Sequence, residues 1–416
     1  MEEWKEYRLG EICTKIGSGA TPKGGKEAYL GGDTSLIRSQ NVLDFSFSWD
    51  GLAYINDEQA SKLNSVEIER NDVLLNITGD SVARTCIVPD KALPARVNQH
   101  VAIIRGNQSL VLNEYILYYL QFKKLYLLSL SQGGATRNAL TKGMIEELEI
   151  TLPSLNKQKE IVSILKSLDS KIENNRRINE NLEQQAQALF KSWFVDFEPF
   201  KDGVFVESEL GMIPKGWKVV SFKDVCTNIT DGVHNTVKDD PRGEYYLLSC
   251  KNIKGGTVTI GDNERKIDKQ TFEKLRKRTK LQKGDILLSS VGTIGEMVFL
   301  NEDPDKYEFQ RSVAIIKPNE EVIEPIFLFY SMMNQKEVIV HSAHGAVQQC
   351  LFISDVSSFT TIYPPRDIMG RFANIAMGIQ NKETVNEQES RRLAEMRDTL
   401  LPKLMSGELK VNEIIK

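Results

Sequence analysis

The chain has 416 residues, 41% hydrophobic and 26% charged, which suits two or three folded domains and excludes an intrinsically disordered protein. Its net charge of −4 excludes a protein that coats nucleic acid indiscriminately, so any DNA binding must use local patches. The sequence has no run of eighteen apolar residues and no signal-peptide layout at its start, and we expect a cytoplasmic protein without membrane contact.

Residues 1–152 are predicted to form a mixed α/β domain, because short β-branched and aromatic runs alternate with Gly, Asn and Asp. Three loops of this domain carry hydroxyls, amides and basic groups of the kind that read base edges in DNA. The candidate residues are Thr21, Lys23, Arg38, Gln40, Asn41, Thr136, Arg137 and Asn138. Any single one of them is better explained as an ordinary surface-turn residue, whereas the loops as a group favour DNA reading.

The next segment, residues 153–198, loses its turn residues after Pro153 and is predicted to be one long helix. A heptad pattern fits this helix, with apolar residues at position a except for one asparagine. The a positions are Ile161, Leu168, Asn175, Leu182 and Leu189. The d positions, three residues later, are mostly polar. Residues 199–213 are predicted to be a linker.

The chain then repeats itself with a period near 212 residues. The run DVLL at residues 72–75 returns as DILL at 285–288, and VAII at 101–104 is identical at 313–316. Residues 214–363 are therefore predicted to form a second domain like the first. Its candidate DNA-reading residues, on loops at equivalent positions, are His234, Asn235, Thr236, Lys251, Asn252, Gln348 and Gln349.

Residues 364–409, followed by a tail to residue 416, repeat the long helix. Shifting the heptad by 211 residues places another asparagine at the third a position, and the a positions are Phe372, Ile379, Asn386, Leu393 and Leu400. A buried asparagine at a lowers stability and fixes register, so its recurrence predicts that the two helices pair with each other. The predicted fold is thus two similar α/β (α+β) domains separated by an antiparallel coiled coil, related by a pseudo-two-fold axis. The alternative is that each helix packs only on its own domain.

The segment from residue 264 to residue 283 carries nine Lys or Arg and three acids. Two interpretations of this segment are open: a patch that contacts the DNA backbone, or a solvated helix face. The sequence shows no phosphate loop, no dinucleotide fingerprint and no Asn-Pro-Pro-aromatic run of an adenine methyltransferase. Its five cysteines and four histidines lack the spacing of a metal site, so we expect no catalysis, no metal and no cofactor in this chain.

Three segments resemble the specificity subunits of type I restriction-modification systems, and with the duplication the resemblance covers essentially the whole chain. They are ALFKSWFVDFEP at residues 188–199, SELGMIPKGW at 208–217 and LLPKLMSGEL at 400–409. The resemblance implies two target recognition domains that each read one half of a split site in double-stranded DNA. It also implies helices that set the half-site spacing and dock two methyltransferase subunits, with restriction subunits able to join.

In such a complex, S-adenosylmethionine, ATP and Mg²⁺ would belong to the partner subunits. Two other functions remain open from the residues alone. One is a free-standing DNA-binding regulator with the same architecture, and the other is a DNA methyltransferase whose motifs are not recognisable.

Overall fold

The computed structural model describes residues 4–22, 29, 31–132, 138–261, 263–345 and 349–414. The chain divides into two compact units, where unit 1 comprises Met1–Asn174 with Glu389–Lys416 and unit 2 comprises Asn175–Gln388. Each unit therefore holds one α/β module and a part of each long helix. In the part of the chain that is described, no helix has the length and apolar character needed to cross a membrane.

The module of unit 1 is built from nine strands and five α-helices in the described residues. Its strands are β1 (Lys5–Arg8), β2 (Cys13–Ser18), β3 (Thr34–Ile37), β4 (Ala53–Ile55), β5 (Val73–Asn76), β6 (Thr85–Ile87), β7 (Ala95–Val97), β8 (Val101–Gly106) and β9 (Glu149–Leu152). Its helices are α1 (Leu9–Ile12), α2 (Asp57–Lys62), α3 (Asn113–Phe122), α4 (Lys124–Ser131) and α5 (Lys142–Glu146). The first long helix, α6 (Leu155–Phe194), follows β9.

A hairpin of two strands, β10 (Phe205–Ser208) and β11 (Gly211–Pro214), occupies most of the segment predicted to be a linker. The strands of the second module are β12 (Lys218–Ser221), β13 (Cys226–Asp231), β14 (Tyr245–Leu248), β15 (Ile253–Lys254), β16 (Thr257–Val258), β17 (Lys266–Ile267), β18 (Ile286–Ser289), β19 (Met297–Phe299), β20 (Tyr307–Phe309), β21 (Val313–Pro318) and β22 (Thr360–Tyr363). Its helices are α7 (Phe222–Val225), α8 (Lys269–Thr279), α9 (Pro325–Asn334), α10 (Lys336–His341) and α11 (Ile353–Ser358). The second long helix, α12 (Arg366–Met405), and the short α13 (Val411–Ile414) complete the chain.

The two modules have the same sheet topology, which confirms the predicted fold class of two similar α/β domains with two long helices. A four-stranded sheet has the order β2-β8-β5-β6 in unit 1 and β13-β21-β18-β19 in unit 2. A three-stranded sheet has the order β4-β3-β7 in one and β17-β14-β20 in the other, with one antiparallel and one parallel pair each time.

The duplicated runs at 72–75 and 101–104 form the centre of the first module. Every residue of β5 is buried, because both faces of the four-stranded sheet are covered. Leu75 and Ile104 face a core shared with α3, whereas Leu74 and Ile103 face a core shared with β3 and β7. A strand that is buried on both faces needs apolar residues at successive positions. This requirement explains the continuous apolar runs that recur in the two modules.

Each module buries an ion pair at the same place in the central sheet. Arg105 donates to Asp72 at 2.7 Å in unit 1, and Lys317 pairs with Asp285 in unit 2. Removing one partner of such a pair leaves a buried charge and costs about 3–5 kcal/mol. Both acids stand at the first position of the repeated run, where each accepts a backbone N–H and closes the turn before a buried strand.

The antiparallel pairing of α6 and α12 is visible inside each unit. In unit 2, Asn175 Nδ2 donates to the Asn386 carbonyl at 3.3 Å, and Asn179 Nδ2 donates to the Glu383 carbonyl at 3.1 Å. Both a-position asparagines are at most 2% exposed. In unit 1, Arg397 Nη1 donates to Asp169 at 2.8 Å and Lys171 forms an ion pair with Glu389 at 3.2 Å, so residue numbers fall along α12 as they rise along α6.

The second line of the helix seam differs from the predicted one. The a positions are buried or half-buried, but the d positions Ile375 and Met396 are 46% and 52% exposed. The other buried line lies four residues after each a position and includes Leu165, Ala186 and Ala376. Polar residues on this line, such as Asn179, make hydrogen bonds to the other helix. Because the heptad assignment considered only apolar residues, it did not identify this line.

Glu383 lies in this seam close to two other carboxylates, Glu183 and Glu387. Burial, followed by the charges of Glu183 and Glu387, raises the pKa of Glu383 to about 8. Gln380 Nε2 donates to Glu383 at 2.9 Å, and Tyr330 donates its hydroxyl to Glu183 at 3.0 Å. Folding thus favours the protonated form of Glu383, and its contribution to stability is lost as the pH rises from about 4.5 through about 8.

We predict that Glu383→Gln stabilises the protein at pH 9 by about 1 kcal/mol and changes it little at pH 5, after allowance for solvent screening. Calorimetric melting at the two pH values measures this difference, with Glu395→Gln, an exposed position of the same helix, as the control. An equal change at both pH values would show that ionisation of Glu383 does not limit stability.

Candidate nucleic-acid interface

Several loops of unit 1 meet at one end of its four-stranded sheet. Strands β5 and β8 are antiparallel, so the end of β5 lies beside the start of β8, and the Ile77 amide donates to the His100 carbonyl at 3.0 Å. The Gly19 amide donates to Asn98 at 3.1 Å, and the Leu140 amide donates to Ile77 at 2.8 Å. We call residues 18–22, 38–42, 77–82, 98–100 and 138–140 loop cluster 1.

Glycine is required where β2 enters this cluster. A Cβ atom at Gly19 would lie 1.7 Å from the Val97 carbonyl oxygen, and one at Gly232, the equivalent residue after β13, would lie 2.1 Å from the Phe309 carbonyl oxygen. The strand end therefore passes directly over the neighbouring backbone in both modules. This close approach holds the loops of each cluster together.

A side-chain network crosses loop cluster 1 at His100. Its Nδ1 is 2.6 Å from the Thr78 hydroxyl, and its Nε2 is 3.2 Å from Gln99 Nε2. The Thr21 hydroxyl donates to Gln99, so this predicted residue joins the network. Thr78, Gln99 and His100 were not predicted as DNA-reading residues. For Gln99 and His100 a signal was available, because the polar triplet at 98–100 stands directly ahead of a buried duplicated strand, whereas Thr78 has no such signal.

The turn after β3 contains three candidate residues with different environments. Gln40 is exposed and donates its side-chain amide to the Asp50 carbonyl at 3.1 Å. Arg38 is half-buried and donates to the Gly51 carbonyl. Asn41 is fully buried: its Oδ1 accepts from the Arg38 amide at 3.0 Å, and its Nδ2 donates to the Ser48 carbonyl at 3.0 Å. The prediction that Asn41 contacts DNA is therefore wrong, because the turn itself uses both ends of its amide.

The loops of unit 2 meet in the same way. The Val233 amide donates to the Phe309 carbonyl at 2.8 Å, the Ser290 amide donates to Ser312 at 3.0 Å, and the Leu351 amide donates to Ser290 at 2.8 Å. We call residues 231–236, 249–252, 290–295, 310–312, 343–345 and 349–351 loop cluster 2. It is the counterpart of loop cluster 1 on an identical sheet.

In loop cluster 2, the predicted residues His234, Asn235 and Thr236 are exposed, and His234 Nε2 is 2.7 Å from Asp231 Oδ2. Lys251 is also exposed and forms an ion pair with Glu264 at 3.0 Å. Asn252 repeats the role of Asn41: it is 3% exposed, accepts from the Ser249 amide and donates to the Thr259 carbonyl. It too is a structural residue, and the DNA-contact prediction for it is wrong.

Two further candidates, Asn138 and Gln349, lie after the short helices α4 and α10. Asn138 is exposed and its carbonyl accepts from the Gly79 amide at 3.2 Å, and Gln349 is exposed. Lys23, Thr136, Arg137 and Gln348 lie outside the described residues.

Residues at equivalent places in the two clusters differ in chemistry. The duplication aligns the exposed Arg311 with Gln99 and Ser312 with His100. Arginine favours guanine, whereas glutamine favours adenine, in the major groove. The same frame thus presents two different sets of hydrogen-bonding groups. Among the described residues, no three His, Cys, Asp or Glu side chains lie together as a metal site would require.

A family model for the type I restriction modification DNA specificity domain matches residues 1–184 and again residues 214–375. The chain belongs to this family of type I specificity subunits. Each match contains one complete module with its loop cluster. The family membership confirms the predicted function of a DNA specificity subunit, which is a non-catalytic part of a type I restriction-modification complex.

Curated relatives span the whole length of this specificity subunit. It is 28% identical to the type I restriction enzyme MjaIX specificity subunit of Methanocaldococcus jannaschii, over 99% of this chain and 95% of that protein. It is 26% identical to the type I restriction enzyme HindI specificity subunit of Haemophilus influenzae, over 98% and 100%.

A solved structure supports the fold independently. The S subunit of a type I restriction-modification system from M. genitalium superposes with a TM-score of 0.55 at 13% identity, covering 97% of this chain and 96% of that chain. At this identity the likeness concerns the fold alone.

Proposed function

We propose that this specificity subunit reads a bipartite sequence in double-stranded DNA, with one half-site at loop cluster 1 and the other at loop cluster 2. One observation carries the proposal. The two clusters lie at equivalent ends of two sheets with the same topology, but they present different side chains. Gln99 and His100 in one correspond to Arg311 and Ser312 in the other. A shared frame with divergent polar groups is what two unlike half-sites require.

The reading residues we propose are exposed polar side chains of each cluster. They are Thr21, Gln40, Gln99 and Asn138 in the first, and His234, Asn235, Thr236, Lys251, Arg311 and Gln349 in the second. Asn41 and Asn252 support these loops from beneath. Hydrogen bonds and close packing hold the backbone of each cluster in place. The exposed side chains are therefore presented to the base edges from a rigid frame.

The partners we propose are two methyltransferase subunits, with restriction subunits able to join, and the long helices are the proposed docking surface for the methyltransferase. S-adenosylmethionine, ATP and Mg²⁺ would bind to those partners. The support for this assignment is the family to which the chain belongs and the lack of the corresponding motifs in its sequence.

The experiment that tests this function is reconstitution. We predict that the purified chain neither transfers methyl groups nor hydrolyses ATP, and that it completes a DNA-methylating complex when mixed with its methyltransferase subunit. Methylation is measured by transfer of labelled methyl groups to DNA and by sequencing of the modified sites. Methyl transfer by the pure chain would contradict the proposal, as would a complex that methylates a site with no second half.

A further inference from the structure

The basic segment at residues 264–283 contains helix α8, and one side of this helix is fixed inside unit 2. Phe272 and Leu275 are 8% exposed, and the Phe272 ring stacks on Tyr245 with centroids 4.2 Å apart. Arg276 turns inward, pairs with the buried Glu308 and lies over the Phe272 ring. The orientation of α8 is therefore determined, and its opposite face must point to solvent.

That outer face and the turn after it carry a row of cations. Lys274, Lys277, Arg278 and Lys280 are all exposed, and residues three and four apart share one side of a helix. Across the residues that the structure describes, none of the four has an acidic side chain within ion-pair distance, and Glu273 lies 3.9 Å from Lys269 instead. No ion pair among the described residues therefore neutralises the row.

The row lies directly beside loop cluster 2. Arg278 Nη2 donates to the carbonyl of Asp231 at 2.9 Å, and Asp231 is the residue at which β13 ends and the cluster begins. The exposed His234, Asn235 and Thr236 follow within five residues. Phosphates line both edges of the groove in which bases are read, so cations beside a reading loop are placed to meet them.

Unit 1 has no such row at the corresponding place. Helix α2 follows β4 there, as α8 follows β17 in unit 2, but its sequence is DEQASK. Its single lysine, Lys62, pairs with Glu58 at 2.7 Å. The two modules thus share a frame for reading bases and differ in their charge toward the DNA backbone.

We propose that α8 is a phosphate-binding helix of the second module, and that sequence-independent DNA affinity is concentrated there, with no counterpart on α2. This inference rests on the proposed function as a DNA reader. Of the two interpretations of the basic segment, it adopts the one in which the segment contacts the DNA backbone. Helix-dipole stabilisation alone would place cations only in the last turn, whereas Lys274 precedes that turn.

The test is the salt dependence of DNA binding by the full chain in complex with its methyltransferase subunit. In the first variant, Lys274→Gln, Lys277→Gln and Lys280→Asn are combined. Asn is chosen because Lys280 has a φ of 47°, where Asn is tolerated. Arg278 is kept because it holds the loop. The matched control combines Lys215→Gln, Lys218→Gln and Lys223→Gln, three exposed lysines toward the opposite end of β13.

We expect the slope of log affinity against log salt to fall by about 2–3 in the first variant, since each phosphate contact contributes about 0.9. The control should keep the wild-type slope. Affinity for matched and mismatched duplexes should fall by the same factor, because phosphate contacts carry no sequence information. A charge-preserving variant that combines Lys274→Arg, Lys277→Arg and Lys280→Arg should keep the wild-type slope.

The outcomes separate the inference from the function on which it rests. The proposed function would be overturned if the wild-type complex bound the sequence that it methylates no more tightly than unrelated DNA. If the wild type binds that sequence and the first variant keeps its slope, only the α8 inference fails. Selective loss of base preference at one half-site would also overturn it, because that result assigns α8 to base reading. If the triple variant has a lower melting temperature than the wild type, the single variant Lys277→Glu replaces it in the same salt-dependence measurement.

Discussion

Exchanging residues 1–152 for the corresponding module of another family member will change one half of the methylated sequence and leave the other half intact. Among the described residues, each hydrophobic core lies wholly within one of the two units. A reader with its own core can be replaced without disturbing the other. Each wrong base pair costs about 1–3 kcal/mol, so an exchanged half-site of several base pairs should lose methylation by at least about 1,000-fold.

The boundary of this exchange follows from the pairing of β1 with β9. Lys5 pairs with Leu152, so an exchange that ends after residue 152 takes both strands from the donor. Residues 389–416 belong to the same unit, where Leu401, Leu404 and Met405 pack in the first core. A second chimaera that also takes 389–416 from the donor keeps that core intact if the first is unstable.

Methylome sequencing of cells that carry each chimaera measures the result. The reciprocal exchange of residues 214–363 is the control and should change the opposite half. A chimaera that is active but alters both halves would show that the modules do not read independently.

Lengthening both long helices by one heptad will lengthen the unread spacer between the half-sites by about three base pairs. Seven residues add about 10 Å of helix and keep the seam in phase. In unit 2 the Phe190 and Phe372 rings are 5.5 Å apart, and Asn179 contacts Glu383. The insertion between Leu182 and Leu189 must therefore be matched by one between Phe372 and Ile379.

The control for this prediction is a four-residue insertion at the same two places. Four residues are not a whole heptad, so the buried face of each helix beyond the insertion rotates away from the other helix. We expect this variant to lose methylation and not to change the spacing of the half-sites. The measurement is the methylated motif of each protein. An unchanged spacer in an active complex with the seven-residue insertion would mean that the helices do not set the spacing.

The protein's sequence by itself determined the duplicated α/β modules and the two long helices. Strands buried on both faces need unbroken apolar runs, and a helix that is buried along one stripe needs a regular apolar period. Both needs leave visible patterns at 72–75, 101–104 and their repeats. The helix bounds were accordingly close: 153–198 was predicted and Leu155–Phe194 is observed.

Which polar residues form the reading surface was decided only by the tertiary structure. Asn41 and Gln40 are neighbours with similar amides, yet the first is buried beneath its turn and the second is exposed. Gln99 joins the candidates only because antiparallel strands bring distant loops to one edge. An asparagine or glutamine side chain can form the same hydrogen bonds with a backbone turn as with a base. The residue type alone therefore does not identify the partner, which is determined by the packing around the side chain.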